Sequence, residues 1–237
     1  MGTKIEWVIN PDGTPGETIN PLGWGCYGPG GDAENPQICG YCYAARMAKR
    51  KLVQCPDCRS FIPHWHEEQF CKPLFWKKPK KIFIQSMGDL FGDWELQFNI
   101  EEVLRLNIRC PQHTFIYLTK NPKRLTKFAF PDNAWVGVTA TDQAMAETAV
   151  RELAKVKAKV KFLSCEPLLG EINVDLSGLQ WLIIGCQTGP KAIKPELGWI
   201  LRLIDAAQQA DAPYFLKNNL KKWMPIKHLR QEWPRER

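Results

Sequence analysis

The chain has 237 residues, a formal net charge of +7 at pH 7 and a 44% share of hydrophobic residues. No apolar run approaches the roughly 18 residues that a membrane-spanning helix needs, and the N-terminus lacks the pattern of a signal peptide. These features favour a soluble, cytoplasmic protein with no membrane partner. The positive charge favours an anionic partner, most often nucleic acid, and the nine cysteines fit a reducing compartment where clustered thiols bind metals.

The first part of the chain is predicted to be mostly loop. Residues 1–38 are rich in Gly, Pro, Asn and Trp, which are typical of turns. Short strands are predicted at 5–9 and 17–19, followed by a long loop that carries Cys26. A helix is predicted after Cys42, ending near Leu52.

From residue 81 onward, short apolar runs alternate with helical patterns. Strands are predicted at 82–86, 114–118, 134–138, 160–164, 181–185 and 213–216, and helices at 100–108, 122–128, 143–157 and 197–210. Apolar strands separated by helices predict a parallel sheet with right-handed crossovers. The fold class is therefore α/β, as a complete or partial (β/α) barrel of six to seven β/α units, in one domain over 1–237 with a Cys-rich insertion at 26–71.

The Cys-rich segment offers a candidate iron–sulfur site. Cys26, Cys39 and Cys42 lie on a Gly/Pro-rich loop before a helix, so they could ligate three irons of a 4Fe-4S cluster and leave the fourth iron open. One alternative is a zinc ribbon built from the pairs Cys39/Cys42 and Cys55/Cys58. Cys55 is also the rival of Cys26 as first cluster ligand.

A second set of metal-binding residue types follows at once. Cys55 and Cys58 are two residues apart, and His64, His66 and Cys71 come next. Two such cysteines with a Cys or His about a dozen residues on suit structural zinc. The alternatives are a second iron–sulfur cluster, a ligand to the first cluster, or thiols without a metal.

Ordered motifs across most of the chain carry a family resemblance. They are Asn20-Pro21 with Gly25-Cys26, Cys39-Gly40-Tyr41-Cys42-Tyr43-Ala44-Ala45-Arg46, Ser86-Met87-Gly88-Asp89, Pro111-Gln112-His113, Leu118-Thr119-Lys120, Gly137-Val138, Cys165-Glu166-Pro167 and Gly189-Pro190. This set resembles the phage and bacterial three-Cys-motif family, which is similar to the radical S-adenosylmethionine (radical SAM) superfamily. The interval from Cys26 to Cys39 is longer than in the usual superfamily motif, but loop-closure entropy rises only slowly with length.

The resemblance implies a SAM site beside the cluster. Tyr41 holds the aromatic position of the cysteine motif, and Ser86, Gly88 and Asp89 occupy the strand end where radical SAM enzymes contact the SAM amino group. Glu166, also at a strand end, would bind the ribose hydroxyls. The ordinary alternatives are a turn capped by Asp89 and a surface carboxylate at Glu166.

Basic residues near aromatic ones suggest contacts with nucleic acid. The candidates are Lys77, Lys78, Lys120, Arg124, Lys217 and Lys221. Lysines can neutralise phosphates while aromatic rings stack on unpaired bases. The alternative is a solvated positive rim.

Together these observations predict a radical-SAM-like lyase or transferase that modifies a nucleic-acid base or repairs damaged DNA, such as UV photoproducts. DNA is favoured ahead of RNA, and a flavodoxin or ferredoxin would supply electrons. One alternative is a SAM-independent iron–sulfur protein for electron transfer or light-driven, photolyase-like repair. The other is a zinc-stabilised nucleic-acid-binding module.

Overall fold

The computed structural model describes residues 2–50, 54–189, 191–224 and 229–235. The chain divides into two compact units, Met1–Trp135 and Val136–Arg237. Each unit combines parallel strands with helices, so each is considered by itself.

Three parallel strands form the centre of the first unit. They are β1 (Glu17–Ile19), β2 (Lys81–Ile84) and β3 (Thr114–Thr119), with Thr18 opposite Phe83 and Ile82 opposite Phe115. Because parallel strands run the same way, the loops that follow β1, β2 and β3 emerge at one edge of the sheet. The Cys-rich segment begins in the loop after β1.

The described residues of this unit form the helices α1 (Tyr43–Ala48), α2 (Pro56–Ser60), α3 (Glu67–Phe75), α4 (Gln97–Arg109) and α5 (Pro122–Leu125). The longest, α4, crosses over from β2 to β3 and buries Ile100, Val103 and Leu106 on one face, the spacing of an amphipathic helix. Its buried Asn107 accepts a hydrogen bond from the Tyr117 hydroxyl. This contact satisfies two polar groups that would be costly to bury alone.

The second unit repeats the pattern. Strand β4 (Ala134–Thr139) begins in the first unit and ends in the second, and β5 (Val160–Cys165), β6 (Trp181–Ile184) and β7 (Tyr214–Leu216) are parallel in that order. The helices are α6 (Gln143–Leu153) and α7 (Leu197–Gln209), followed by a 3₁₀ turn over Asn218–Lys222. Trp181 is fully buried, and its ring packs against Phe162 at 5.4 Å between centroids.

The α/β class and the strands predicted from 17–19 and from residue 81 onward are confirmed. The barrel and the single domain stay predictions. The predicted strand at 5–9 is wrong: this segment is a turn, with one isolated antiparallel bridge between Ile9 and Pro15. Helix α1 ends at Ala48, and the predicted end at Leu52 lies outside the described residues. Helices α2 and α3 were not predicted. None of the helices in the described ranges combines the length and hydropathy needed to cross a bilayer.

Candidate metal centre

The loop after β1, residues 20–28, carries Cys26 and is called here the first cysteine loop. The Asn20 Oδ1 accepts hydrogen bonds from the Met87 backbone N at 2.8 Å and from the Ser86 hydroxyl at 3.3 Å. The buried Gln85 amide accepts from the Leu22 N at 3.1 Å and donates to the Gly23 carbonyl at 2.8 Å. These bonds fasten the start of the loop to the turn that follows β2.

A close glycine contact brings Cys26 to the same turn. A Cβ on Gly88 would lie 2.3 Å from the Gly25 carbonyl oxygen, so the two backbones meet at a distance that only glycine permits. Cys26 is half-buried, and its Sγ accepts a hydrogen bond from the Gly28 N at 3.3 Å. Burial, followed by the nearby Asp89 carboxylate, raises the pKa of Cys26 to about 12.

Asp89 is buried at this turn and is fully engaged. Its carboxylate accepts hydrogen bonds from the Thr119 hydroxyl at 2.7 Å, the Lys120 N at 2.9 Å and the Phe91 N at 3.0 Å. Burial raises the pKa of this carboxyl group. The Lys120 ammonium lies over the Tyr41 ring, 5.9 Å from its centroid. The turns after β2 and β3 therefore place Asp89 and Lys120 in the neighbourhood of Cys26, and Lys120 reaches the Tyr41 ring.

Helix α1 holds the other two cysteines at its N-terminus. Cys42 is the N-cap residue, and its Sγ accepts a hydrogen bond from the Ala45 N at 3.4 Å. The Cys42 N donates to the Cys39 carbonyl at 2.9 Å, which closes a turn between the two. The Tyr43 hydroxyl donates to the Ser86 carbonyl. The helix start is thus tied to the turn after β2, as the first cysteine loop is.

Cys26, Cys39 and Cys42 are called here the three-cysteine set. Cys26 and Cys42 pack against one apolar cluster that includes Met87, and the Cys42 thiol contributes to the raised pKa of Cys26. In the part of the chain that the structure describes, the set does not form the compact donor group that one metal ion requires. A 4Fe-4S cluster makes a different demand, because each thiolate binds its own iron.

A compact donor group does form nearby. Its members, called here the Cys2His2 group, are Cys55, Cys58, His64 and His66, and their ligand atoms all lie within 4.8 Å of one another. The sulfur-to-Nε2 distances are 3.2 Å for Cys55 to His64, 3.7 Å for Cys58 to His64 and 3.4 Å for Cys58 to His66. These four residues could hold a metal ion.

Local backbone geometry explains how the Cys2His2 group assembles. Cys55 is the N-cap of α2, which starts at Pro56 and places Cys58 in the first turn. Phe61 adopts a left-handed conformation with φ 61° and ends the helix. Residues 62–66 have no regular secondary structure, and they bring the His64 and His66 rings to the two cysteines.

Burial raises the pKa of Cys58 to about 11, whereas the amide of Cys58 lowers the pKa of the Cys55 thiol.

The other predicted metal ligand of this segment lies elsewhere. Cys71 is outside the Cys2His2 group, and its Sγ donates to Glu67 Oε1 at 3.2 Å on helix α3. The zinc ribbon alternative also fails here, because histidines rather than Cys39 and Cys42 join Cys55 and Cys58.

In the second unit, two predicted site residues neutralise each other. Glu166 follows β5 and Lys217 follows β7, and the Lys217 ammonium forms an ion pair with the Glu166 carboxylate. A Cβ on Gly185 would lie 3.0 Å from the Lys217 side chain and 3.1 Å from the Glu166 side chain. A ligand that binds either group must therefore compete with this pair.

The remaining predicted basic contacts differ in their surroundings. Lys77, Lys78 and Lys221 are exposed. Arg124 instead donates hydrogen bonds to the Gly92 and Glu95 carbonyls, which gives it a role in loop structure. Of these four residues, the three lysines retain the exposure that contact with phosphate requires.

The sequence analysis missed an aromatic cavity in the first unit. It has a volume of about 340 Å³, and its lining includes Tyr27, His64, Trp65, Trp94 and Glu95. The Trp94 Nε1 is buried and is without a hydrogen-bond partner among the described residues. The ten tryptophans of the chain were the available signal, but composition does not show which rings share a cavity.

Comparison with known proteins finds a matching family model. A family model with the description "Protein of unknown function (DUF5131)" matches residues 3–234. No curated protein and no solved structure matches the chain. The chain belongs to the DUF5131 family.

Proposed function

We propose that this member of the DUF5131 family is an iron–sulfur enzyme of the radical SAM type that acts on a nucleic-acid base, with DNA favoured ahead of RNA. The main supporting observation is that two separate cysteine segments are fastened to one turn. Asn20 bonds the first cysteine loop to Met87, and Tyr43 bonds the start of α1 to the Ser86 carbonyl. The predicted (β/α) barrel is part of this proposal.

The donor chemistry of the three-cysteine set fits a cluster. The Cys26 and Cys42 sulfurs each accept a backbone N–H bond, and such bonds stabilise thiolates and tune the potential of a cluster. When bound, a 4Fe-4S cluster with one open iron would supply a binding position for SAM and the electron for its cleavage. A flavodoxin or ferredoxin would deliver that electron.

The protein side chains around the set would orient and charge-balance the cofactor. Lys120 places an ammonium near the Tyr41 ring and the cysteines, where it would balance thiolate or carboxylate charge. Asp89 keeps the turn after β2 in place through its three hydrogen bonds, which supports a positioning role.

The aromatic cavity supports a base as the substrate group. A volume of about 340 Å³ lies within the range of small-molecule pockets. Tyr27, Trp65 and Trp94 line the cavity, and stacking on an aromatic ring contributes about 1–3 kcal/mol per base. Exposed Lys77 and Lys78 could contact phosphates.

Anaerobic iron and sulfide reconstitution tests the proposal. The reconstituted chain should show the visible absorbance of a 4Fe-4S cluster and, after reduction with SAM present, release 5′-deoxyadenosine. Cys42→Ser should lose both signals, whereas Cys71→Ser, which lies outside both cysteine groups, should keep them. Wild-type protein that binds no iron under these conditions would refute the proposal.

One observation favours a second candidate, a zinc-stabilised nucleic-acid-binding module without catalysis. It is the Cys2His2 group, whose donor types suit structural zinc. This candidate predicts a colourless zinc protein that shifts DNA in a salt-dependent way. Replacing Lys77 and Lys78 with alanine should then lower the slope of log affinity against log salt by about 2.

A further inference from the structure

We propose that the Cys2His2 group binds one zinc ion, and that this ion holds the first cysteine loop in place. The zinc ion is shared with the second candidate function, and the inference goes beyond both candidates in the role of the ion, which fixes the first cysteine loop independently of iron, SAM or nucleic acid. It rests on the distances within the group, on the hydrogen bonds behind the two histidines, and on the contacts that connect the group to the loop.

The distances come close to a tetrahedral zinc shell. Zinc bonds of about 2.3 Å to sulfur and about 2.05 Å to nitrogen imply separations of about 3.5 Å between sulfur and nitrogen and about 3.3 Å between two nitrogens. The observed sulfur–nitrogen distances are 3.2, 3.4 and 3.7 Å. The two Nε2 atoms are 2.6 Å apart, so zinc binding would separate the imidazole nitrogens by about a further 0.7 Å.

Hydrogen bonds behind the rings fix both tautomers. The His64 Nδ1 lies 2.7 Å from the Ile62 carbonyl oxygen, and the His66 Nδ1 lies 2.6 Å from Glu68 Oε1. Both partners are acceptors, so each neutral ring carries its proton on Nδ1 and presents the Nε2 lone pair to the centre. Histidine ligands of zinc are oriented by carbonyls and carboxylates in this same way.

Two lone pairs that face each other require a cation between them. One shared proton could bridge the two Nε2 atoms, but it would not use the two cysteine sulfurs. A metal ion uses all four donors. Two thiolates and two imidazoles in a tetrahedral arrangement are typical of zinc, and four protein ligands leave no open position, which is the form of a structural site.

The surrounding segment has little other means of staying folded. Between residues 54 and 71 the buried hydrophobic side chains are Cys58, Phe61 and Phe70. Helices α2 and α3 have 5 and 9 residues, and isolated helices shorter than about 12–15 residues are marginal in water. In such segments the free energy of zinc binding becomes free energy of folding.

The Cys2His2 group also contacts the first cysteine loop directly. The Trp24 N donates to the Cys58 Sγ at 3.3 Å, two residues before Cys26. The His64 N donates to the Leu22 carbonyl at 3.2 Å, and the His66 N donates to the Pro21 carbonyl at 2.7 Å. A zinc ion that fixes both histidines and Cys58 therefore fixes the backbone of residues 21–24.

Steric contact continues this connection to Cys26. A Cβ on Gly25 would lie 2.2 Å from the Pro63 N and 2.3 Å from the Ile62 carbonyl carbon, so the loop backbone rests directly on the segment between the cysteines and the histidines. The Cys26 N donates to the Phe61 carbonyl at 3.4 Å. Zinc release should loosen both sides of this contact together.

Metal analysis tests the site, with a matched control on the neighbouring helix. Wild-type protein and Cys71→Ser should each retain about one zinc per chain after dialysis, whereas Cys55→Ser should lose it. Cys71→Ser makes the same chemical change on α3, outside the Cys2His2 group. Retention of equal zinc by Cys55→Ser, or iron in place of zinc at this group in wild-type protein, would overturn the assignment.

Hydrogen exchange of the intact wild-type chain tests the effect on the loop, and it applies even if Cys55→Ser does not fold. Removal of zinc by a chelator should raise exchange at the Trp24 amide about tenfold or more, since its acceptor is the Cys58 sulfur and bonds to charged acceptors are the stronger ones. Exchange at the His64 and His66 amides, which donate to the Leu22 and Pro21 carbonyls, should rise with it. Exchange at Leu182 in β6 should not change. Zinc loss with unaltered exchange at Trp24 would refute the proposed link. Neither the zinc content nor the hydrogen exchange involves iron or SAM. Both results can therefore be obtained even if the protein is not a radical SAM enzyme.

Discussion

Alanine at Gly23 should damage the Cys2His2 group without removing any ligand. Gly23 has a positive φ of 60°, and a Cβ there would lie 2.6 Å from His64 Cε1 and 2.9 Å from His66 Cδ2. Two costs therefore add. Left-handed backbone costs a non-glycine residue about 1–2 kcal/mol, and overpacking against the two rings costs about 1–3 kcal/mol more.

Gly13 provides the matched control. Its φ is 80°, but a Cβ there would meet nothing within 4 Å, so Gly13→Ala carries only the backbone cost. The free energy of unfolding should fall by about 1–2 kcal/mol in Gly13→Ala and by about 2–5 kcal/mol in Gly23→Ala. The difference of about 1–3 kcal/mol isolates the contact with the histidines.

Zinc affinity should separate the two variants further. In Gly23→Ala, the contact between the new Cβ and the zinc-bound rings should lower the zinc affinity. An overpacking cost of about 1–3 kcal/mol corresponds to binding that is about 5-fold to 150-fold weaker. Urea unfolding with zinc present, together with zinc competition against a chromophoric chelator, measures both quantities. Equal stabilities and equal zinc affinities for Gly13→Ala and Gly23→Ala would refute the reasoning.

Two further predictions concern the first unit. Gly88→Ala should lower the free energy of unfolding by about 1–3 kcal/mol or more, because its Cβ would lie 2.3 Å from the Gly25 carbonyl oxygen. The control is Gly40→Ala, whose Cβ would have nothing within 4 Å and which should change the free energy by about 0.5 kcal/mol at most. Equal urea midpoints for the two variants would contradict this prediction. Burial lowers the pKa of His113, so the unfolded chain binds more protons there and stability falls as the pH drops through about 6.5 toward the folded-state pKa. His113→Gln should lose less stability than wild type between pH 7 and pH 5, and parallel pH–stability curves would show that His113 is not responsible.

The strands could be predicted because their signal is local. Each of β2 and β6 is buried at every position. In the sequence β6 is a continuous apolar run, and β2 is an apolar run of three residues after Lys81. The segment at 5–9 has similar residues but folds as a turn, in which Val8 N donates to the Ile5 carbonyl and Trp7 packs on Phe83 with 4.9 Å between ring centroids. Apolar side chains that are buried in a turn, without the hydrogen bonds of a sheet, give the same sequence pattern as a strand.

The candidate metal-binding residues could be identified from spacing, but their grouping could not. The choice of His64 and His66 over Cys71 depends on the left-handed conformation of Phe61 and on the irregular backbone that follows it. No local sequence pattern predicts a phenylalanine in the left-handed backbone conformation, because this conformation is unfavourable for phenylalanine and is stabilised only by the surrounding structure. The contact between Trp24 and Cys58 joins positions 34 residues apart, beyond the reach of any periodicity.

The pairing of Glu166 with Lys217 was also beyond sequence reasoning. The sequence predicts separate roles for them, Glu166 toward a ribose because it follows a strand and Lys217 toward a phosphate because basic residues lie near an aromatic one. Strands β5 and β7 both pair with β6, so their ends are close in space although the residues are 51 positions apart. Opposite charges at neighbouring strand ends then neutralise each other.

The most direct test of the account is a count of metals per chain in anaerobically reconstituted protein. Wild-type protein should contain about one zinc and about four irons per chain. Cys42→Ser should lose the iron and keep the zinc, and Cys58→Ser should lose the zinc. Loss of zinc from Cys42→Ser together with its iron, or a wild-type chain that binds a single kind of metal, would contradict two separate centres in the first unit.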